Sequence, residues 1–166
     1  VSVSEIYNVV SKRLLRQFPH HNLQLVVEGE LPPLHVHAAL IEQGLYNGIE
    51  NACKAGGPQG AVLVQVATEL LPDNNGQMIS IRVCDQGPGL PNEEWERVFG
   101  QFYTFSQGDR YEKGTGLGLS ICRSIFRVHG GEAKIVLPPP GYNHCLLLQV
   151  PALDSKMLDK PASYYA

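Results

Sequence analysis

The sequence predicts a single α/β domain, and three observations predict it. Apolar residues recur at helical spacing in three separate segments. Val- and Ile-rich runs that alternate in part lie between and after those segments. The 166 residues are one ordinary domain's worth of chain, enough to bury roughly 70% of the unfolded surface.

Each element follows from local pattern. Ile6, Val10, Leu14 and Phe18 recur every fourth position, with Ser2 or Ser4 available as N-cap, so residues 4–18 read as an amphipathic helix. Residues 23–27 read as a strand, and Leu31-Pro-Pro-Leu34 breaks the chain. A second helix is expected over 38–55, with Ile41, Leu45, Ile49 and Ala52 on one stripe and Gly56-Gly57 as its stop. Residues 61–69 and 78–85 read as a hairpin around Pro72-Asp-Asn-Asn-Gly76. A short helix over 93–99 would carry Trp95, Val98 and Phe99 at core spacing. Residues 103–113 are polar and aperiodic, which predicts a mobile loop. A helix over 117–129 stops at Gly130-Gly131, where His129 would sit at a C-terminus favourable to its charge. Residues 133–137 and 145–150 form a last strand pair across a Pro-rich turn. The expected domain is 1–151, with 152–166 as a poorly ordered tail or linker.

Composition narrows the function. Thirteen Lys and Arg against sixteen Asp and Glu give a net charge of −3, which argues against a nucleic-acid partner. No apolar run is long enough to span a bilayer, and no signal peptide opens the chain. Cys53, Cys84, Cys122 and Cys145 are scattered without a CxxC pair, which fits a reducing, cytoplasmic setting.

Three patterns carry chemistry. Asn47, Asn51 and Lys54 stand at i, i+4 and i+7 of the second helix, on a face distinct from its apolar stripe. Carboxamide oxygens suit hard Mg²⁺ and an ammonium suits phosphate, although a solvated face would also look like this. Asp85-Gln-Gly87-Pro-Gly89 closes a β-rich run; its carboxylate can accept from an exocyclic amine while the glycines let backbone approach a flat ring. Gly114-Thr115-Gly116-Leu117-Gly118-Leu119 leads into a helix, whose exposed N–H groups and dipole favour phosphate. The G-x-G-x-G spacing after a polar loop is not a dinucleotide fingerprint, and no GxxxxGK[ST] exists.

In this order the patterns resemble a known family. Asn47-Gly-Ile-Glu-Asn51-Ala-Cys-Lys54 resembles the N box of sensor histidine kinases in the GHKL ATPase superfamily. Asp85-x-Gly87-x-Gly89 resembles their G1 box, Phe99-Gly-Gln-Phe102 the F box and Gly114 to Leu119 the G2 box. The resemblance covers roughly residues 1–151. It implies a Bergerat-type two-layer sandwich, a mixed sheet with helices on one face, and ATP and Mg²⁺ as cofactors. It also implies that Asn51 ligates Mg²⁺, that Asn47 and Lys54 reach the phosphates, that Asp85 reads adenine and that 103–113 is the ATP lid. Gly87, Gly89, Phe102 and the G2 residues Gly114, Thr115, Gly116, Leu117, Gly118 and Leu119 would complete the nucleotide site. Two departures stand out: Ala55 replaces the family's frequent aromatic, and Gly141-Tyr-Asn-His144 replaces its Gly-x-Gly-Thr, so that region receives no role.

One position separates the subfamilies. ATPases and serine kinases of the superfamily place a Glu four residues before the Mg²⁺ asparagine, where this chain has Asn47. A carboxamide cannot act as a base, but a neutral imidazole acceptor is already nucleophilic and needs positioning more than deprotonation. Glu50 points about 100° away from Asn51. None of His20, His21, His35, His37, His129 and His144 precedes an acidic residue on a long hairpin helix, as family phosphoacceptors do. His35 and His37 alone are two candidate metal ligands without a third. The function expected is therefore donation of the γ-phosphoryl group to a histidine on a separate dimerisation domain, with a response regulator downstream. The domain would be inactive alone, and any membrane anchor would lie in missing upstream segments. A non-catalytic nucleotide-binding relay is the alternative, and a GHKL hydrolase a further one.

Overall fold

The computed structural model describes residues 1–56, 60–72, 76–100 and 118–152. Helix α1 (Val3–Gln17) starts on a capping box: Ser2 Oγ accepts from the Glu5 N–H at 3.2 Å, and the Glu5 carboxylate accepts from the Ser2 N–H at 3.3 Å. Strand β1 (Asn22–Val27) leads to α2 (Ala38–Ala55), whose bounds match the sequence expectation. Strands β2 (Ala61–Leu70) and β3 (Gln77–Asp85) form the expected hairpin, closed where the Leu71 N–H donates to the Gly76 carbonyl at 2.9 Å. Helix α3 (Gly118–Val128) precedes β4 (Glu132–Val136) and β5 (His144–Pro151).

The segment over 93–99 corrects the sequence expectation. It is two 3-10 turns, Asn92–Glu94 and Arg97–Phe99, rather than one helix. Seven residues hold too few i→i−4 bonds to offset helix nucleation, and the Trp95 ring N–H donates back to the Leu90 carbonyl at 3.0 Å. Core spacing survives the change, since Val98 and Phe99 are buried and Trp95 packs partly against the core.

The sheet order is β1-β2-β3-β5-β4. Strand β1 runs parallel to β2 and the other pairs are antiparallel, so the sheet is mixed. One sheet face buries Val62, Val64, Val66, Ile79, Ile81, Val83, Leu146, Leu148 and Val150 with the apolar stripes of the three helices. Helix α2 lies close in: a Cβ on Gly44 would sit 3.0 Å from Phe126 Cε2, and one on Gly48 3.0 Å from Leu146 Cδ2. Helix α3 ends at Gly130, whose φ of +83° is costly for other residues. There the Gly131 N–H reaches back to the Phe126 carbonyl at 2.9 Å, closing the helix end.

The ends of α2 and α3 are tied by His129. Its Nδ1–H donates to the Ile125 carbonyl at 2.8 Å, and its Nε2 accepts from the His37 N–H at 3.1 Å. The single ring proton satisfies both contacts, so His129 both bonds a carbonyl in the last turn of α3 and accepts the N–H of His37, the residue that precedes α2. Among the described residues no group of three His, Cys, Asp or Glu is placed to hold a metal ion.

Candidate functional site

The site is built where the C-terminal half of α2 meets the end of β3. The Ile41/Leu45/Ile49/Ala52 stripe is committed to the core, which turns Asn47 and Asn51, both half-buried, and exposed Lys54 to the other side. Asn47 Oδ1 accepts from Gln43 Nε2 at 2.8 Å, one turn earlier. Lys54 Nζ lies 3.3 Å from Glu50 Oε1. The Tyr46 hydroxyl donates to Glu50 Oε2 at 2.8 Å and lies 2.6 Å from the Gln17 amide oxygen. Arg13 stacks on the Tyr46 ring with its guanidinium 4.0 Å from the centroid. Burial, and then the hydrogen bond to the Glu50 carboxylate, raise the Tyr46 phenol above its ordinary pKa. Glu50 is thus held between Tyr46 and Lys54, at the edge of the Asn47/Asn51/Lys54 face.

Asp85 is the last residue of β3 and is fully buried. Its side chain follows Ile81 and Val83 on the helix-facing side of the sheet. The Gly87 N–H donates to Asp85 Oδ1 at 3.0 Å, fixing one carboxylate oxygen against the turn. Gly87 itself abuts Ala55 at the end of α2 so closely that an added Cβ would overlap the Ala55 carbonyl and lie 2.9 Å from its Cβ. Only glycine allows this approach to the Ala55 backbone. The asparagine face and the aspartate loop are therefore joined at one seam.

Segment 141–144, to which sequence gave no role, is the second wall of that loop. The Asn143 N–H donates to the Asp85 carbonyl at 2.9 Å, and Asn143 Nδ2 donates to the Gln86 carbonyl at 3.1 Å. Gln86 Nε2 donates to the Gly141 carbonyl at 3.3 Å. A Cβ on Gly89 would stand 2.7 Å from the Asn143 carbonyl oxygen, which explains the second glycine of Asp85-x-Gly87-x-Gly89. His144 is buried opposite Asp85, with Nδ1 3.5 Å from Asp85 Oδ2.

Of the remaining expected site residues, Gly118 opens α3 and Leu119 is buried beneath it. Phe102, Gly114, Thr115, Gly116, Leu117 and the expected lid over 103–113 lie outside the described residues, as does most of the expected tail over 152–166. Phe99 is brought under Arg123, whose guanidinium sits 4.2 Å from the ring centroid. Arg123 also pairs with Glu96 at 2.6 Å and Glu132 at 3.2 Å, and Arg127 pairs with Glu132 at 2.9 Å. Partial burial opposes ionisation of Glu132, yet hydrogen bonds from Arg127, the Ala133 N–H and Arg123 outweigh it and hold its carboxyl at about 2. A carboxyl lowered from 4.5 to about 2 stabilises the fold above its unfolded pKa, and that contribution is lost as pH falls from about 4.5 toward 2. Glu132→Gln is expected to flatten this part of the acid-unfolding curve. Identical acid limbs for the two proteins, followed by circular dichroism, would contradict the pairing.

Three comparisons locate this architecture among known proteins. A model for the histidine kinase-, DNA gyrase B-, and HSP90-like ATPases matches residues 37–153. The chain belongs to that family. Among curated relatives of this ATP-binding domain is the adaptive-response sensory kinase SasA of Crocosphaera subtropica, 32% identical over 148 residues, covering 86% of this chain and 37% of the relative. The chain thus spans little more than a third of that relative's length. Among solved structures, the mycobacterial sensor histidine kinase MprB aligns with a TM-score of 0.77 at 23% identity, covering 92% of this chain and 97% of that one. Full-length ShkA in complex with AMPPNP aligns with a TM-score of 0.74 at 22% identity, covering 93% of this chain and 31% of that one. The fold is that of the histidine kinase ATP-binding domains. No described helix is long and apolar enough to cross a membrane.

Within this family assignment the residues that sequence reasoning missed are Asn143 and His144. The only local signal was their departure from the family's Gly-x-Gly-Thr.

Proposed function

We propose that this domain binds Mg·ATP between α2 and the loop after β3, and donates the γ-phosphoryl group to a histidine on a separate phosphoacceptor hairpin domain of a two-component sensor kinase. The observation that carries the proposal is the seating of Gly87 on Ala55, which puts Asp85 and the Asn47/Asn51/Lys54 face beside one helix end. Asp85 would accept from the adenine amine, with Gly87 and Gly89 giving the ring its approach. Asn51 would hold Mg²⁺ through its carboxamide oxygen, and Asn47 and Lys54 would reach the phosphates. Asn51 fits the ion as a neutral oxygen donor on a half-buried helix face, and the Lys54 ammonium fits the phosphates. When bound, Mg²⁺ supplies neutralisation of phosphate charge. By the family resemblance, Phe102 and Gly114 to Leu119 would line the rest of the nucleotide site.

Hydrolysis is disfavoured by the same geometry. Asn47 cannot deprotonate water, and the Glu50 carboxylate accepts from the Tyr46 hydroxyl. Transfer to a neutral imidazole needs only alignment. A response regulator would then take the phosphoryl group from that histidine, and any membrane anchor would belong to other parts of a longer protein. ATP labelled at the γ-phosphate, incubated with the domain and a separately purified hairpin domain, tests the proposal. Acid-labile, base-stable label on the hairpin is expected, with none on the domain alone. Free phosphate would mean a hydrolase, and no consumption a non-catalytic relay.

A further inference from the structure

The nucleotide-binding proposal makes Asp85 the acceptor that reads the base; on that footing, the structure points to a second residue behind it. We infer that His144 is a positioning residue for base recognition, holding the Asp85 carboxylate in the orientation that accepts from an exocyclic amine. Strands β3 and β5 place the two residues directly opposite each other, on the helix-facing side of the sheet. Asp85 is 0% exposed and His144 3%. The two carboxylate oxygens are addressed separately: Oδ1 takes the Gly87 N–H at 3.0 Å, and Oδ2 faces His144 Nδ1 at 3.5 Å. A carboxylate only accepts, so across this 3.5 Å approach Nδ1 is the atom that can turn a proton toward Oδ2. With Oδ1 hydrogen-bonded to the Gly87 N–H and Oδ2 packed against the buried imidazole, rotation about the terminal torsion, otherwise a soft two-fold motion, is restrained. The backbone joins in, because Asn143, one residue before His144, donates to the Asp85 and Gln86 carbonyls at 2.9 and 3.1 Å. The histidine thus arrives on a segment that is itself fastened to the aspartate loop.

The chemistry predicts a discriminating signature rather than a general loss. An oriented anionic acceptor rewards a base that carries an amine donor and gives nothing to one that lacks it. Two ligands therefore separate the roles: ATP, and purine ribonucleoside triphosphate, which keeps the ring and phosphates but has no exocyclic amine. Calorimetric titration of the whole chain in Mg²⁺ should show His144→Ala binding ATP about five- to tenfold more weakly. Its affinity for the purine triphosphate should stay within about twofold of the parent. His144→Asn, which keeps a short side-chain donor, should recover part of the loss for ATP, and thermal melts identify any variant that fails to fold. Equal weakening toward both ligands in a folded His144→Ala or His144→Asn protein would make the residue merely structural and overturn the inference. Asp85→Asn is the control for the underlying assignment. If it leaves the ATP-to-purine ratio unchanged, Asp85 does not read the amine and the inference falls with it. If it lowers the ratio while the His144 variants do not, only the histidine's role is refuted.

Discussion

Asn51→Ala is expected to abolish phosphotransfer to a supplied hairpin domain while leaving the fold intact. Asn51 is half-buried on the side of α2 away from Ile49 and Ala52, which are committed to the core. Its removal opens no core cavity and, alanine being the better helix former, should change stability by no more than about 0.5 kcal/mol. On the proposed reading it removes the carboxamide donor to Mg²⁺, leaving the ion to water and phosphate oxygens. Phosphoryl transfer depends almost wholly on positioning and charge neutralisation, so loss of alignment should cost at least about a hundredfold in rate. Binding and catalysis should separate, because Asp85 remains to dock the base. A variant that melts like the parent and still transfers phosphate at the parent rate would return Asn47, Asn51 and Lys54 to a solvated helix face.

Asp85→Asn should weaken ATP binding about 10- to 100-fold, the consequence of losing a hydrogen bond to a charged acceptor, about 1.5–3 kcal/mol. The substitution is nearly isosteric, and the asparagine oxygen can still accept from the Gly87 N–H. The loop should therefore stay in place while the charge disappears. Affinity unchanged by calorimetry would remove Asp85 from the base site, even though it lies fully buried at the end of β3.

How much of this was legible depended on whether the determining contacts were local. Helix α2 was readable to its ends, because one stripe of Ile41, Leu45, Ile49 and Ala52 runs its length. The β2–β3 hairpin was readable from a turn between two Val/Ile-rich runs, and the Asp85 loop from glycines set two apart. The segment over 92–99 misled because apolar spacing is common to an α-helix and to two successive tight turns, and its length decided between them. Asn143 and His144 were illegible for a different reason. Their partners Asp85 and Gln86 stand nearly 60 positions earlier, and only the β3–β5 register brings them face to face. Likewise nothing near Ala55 announced that its backbone carbonyl is where Gly87 docks. The pairing of Glu50 with Tyr46 and Lys54 was legible only as a direction on a helix, not as a contact.

On the proposed reading, α2 and the Asp85 loop form a single Mg·ATP pocket. The most direct measurement is an amide chemical-shift titration of the whole chain with Mg·AMPPNP, a nucleotide that is bound but not turned over. The expected result is a saturable set of shifts concentrated at Asn47, Asn51, Lys54, the 85–89 loop and His144, with α1 and β1 nearly silent. Shifts that leave Asp85 and Asn51 untouched, or that gather on α1 and β1 instead, would contradict it.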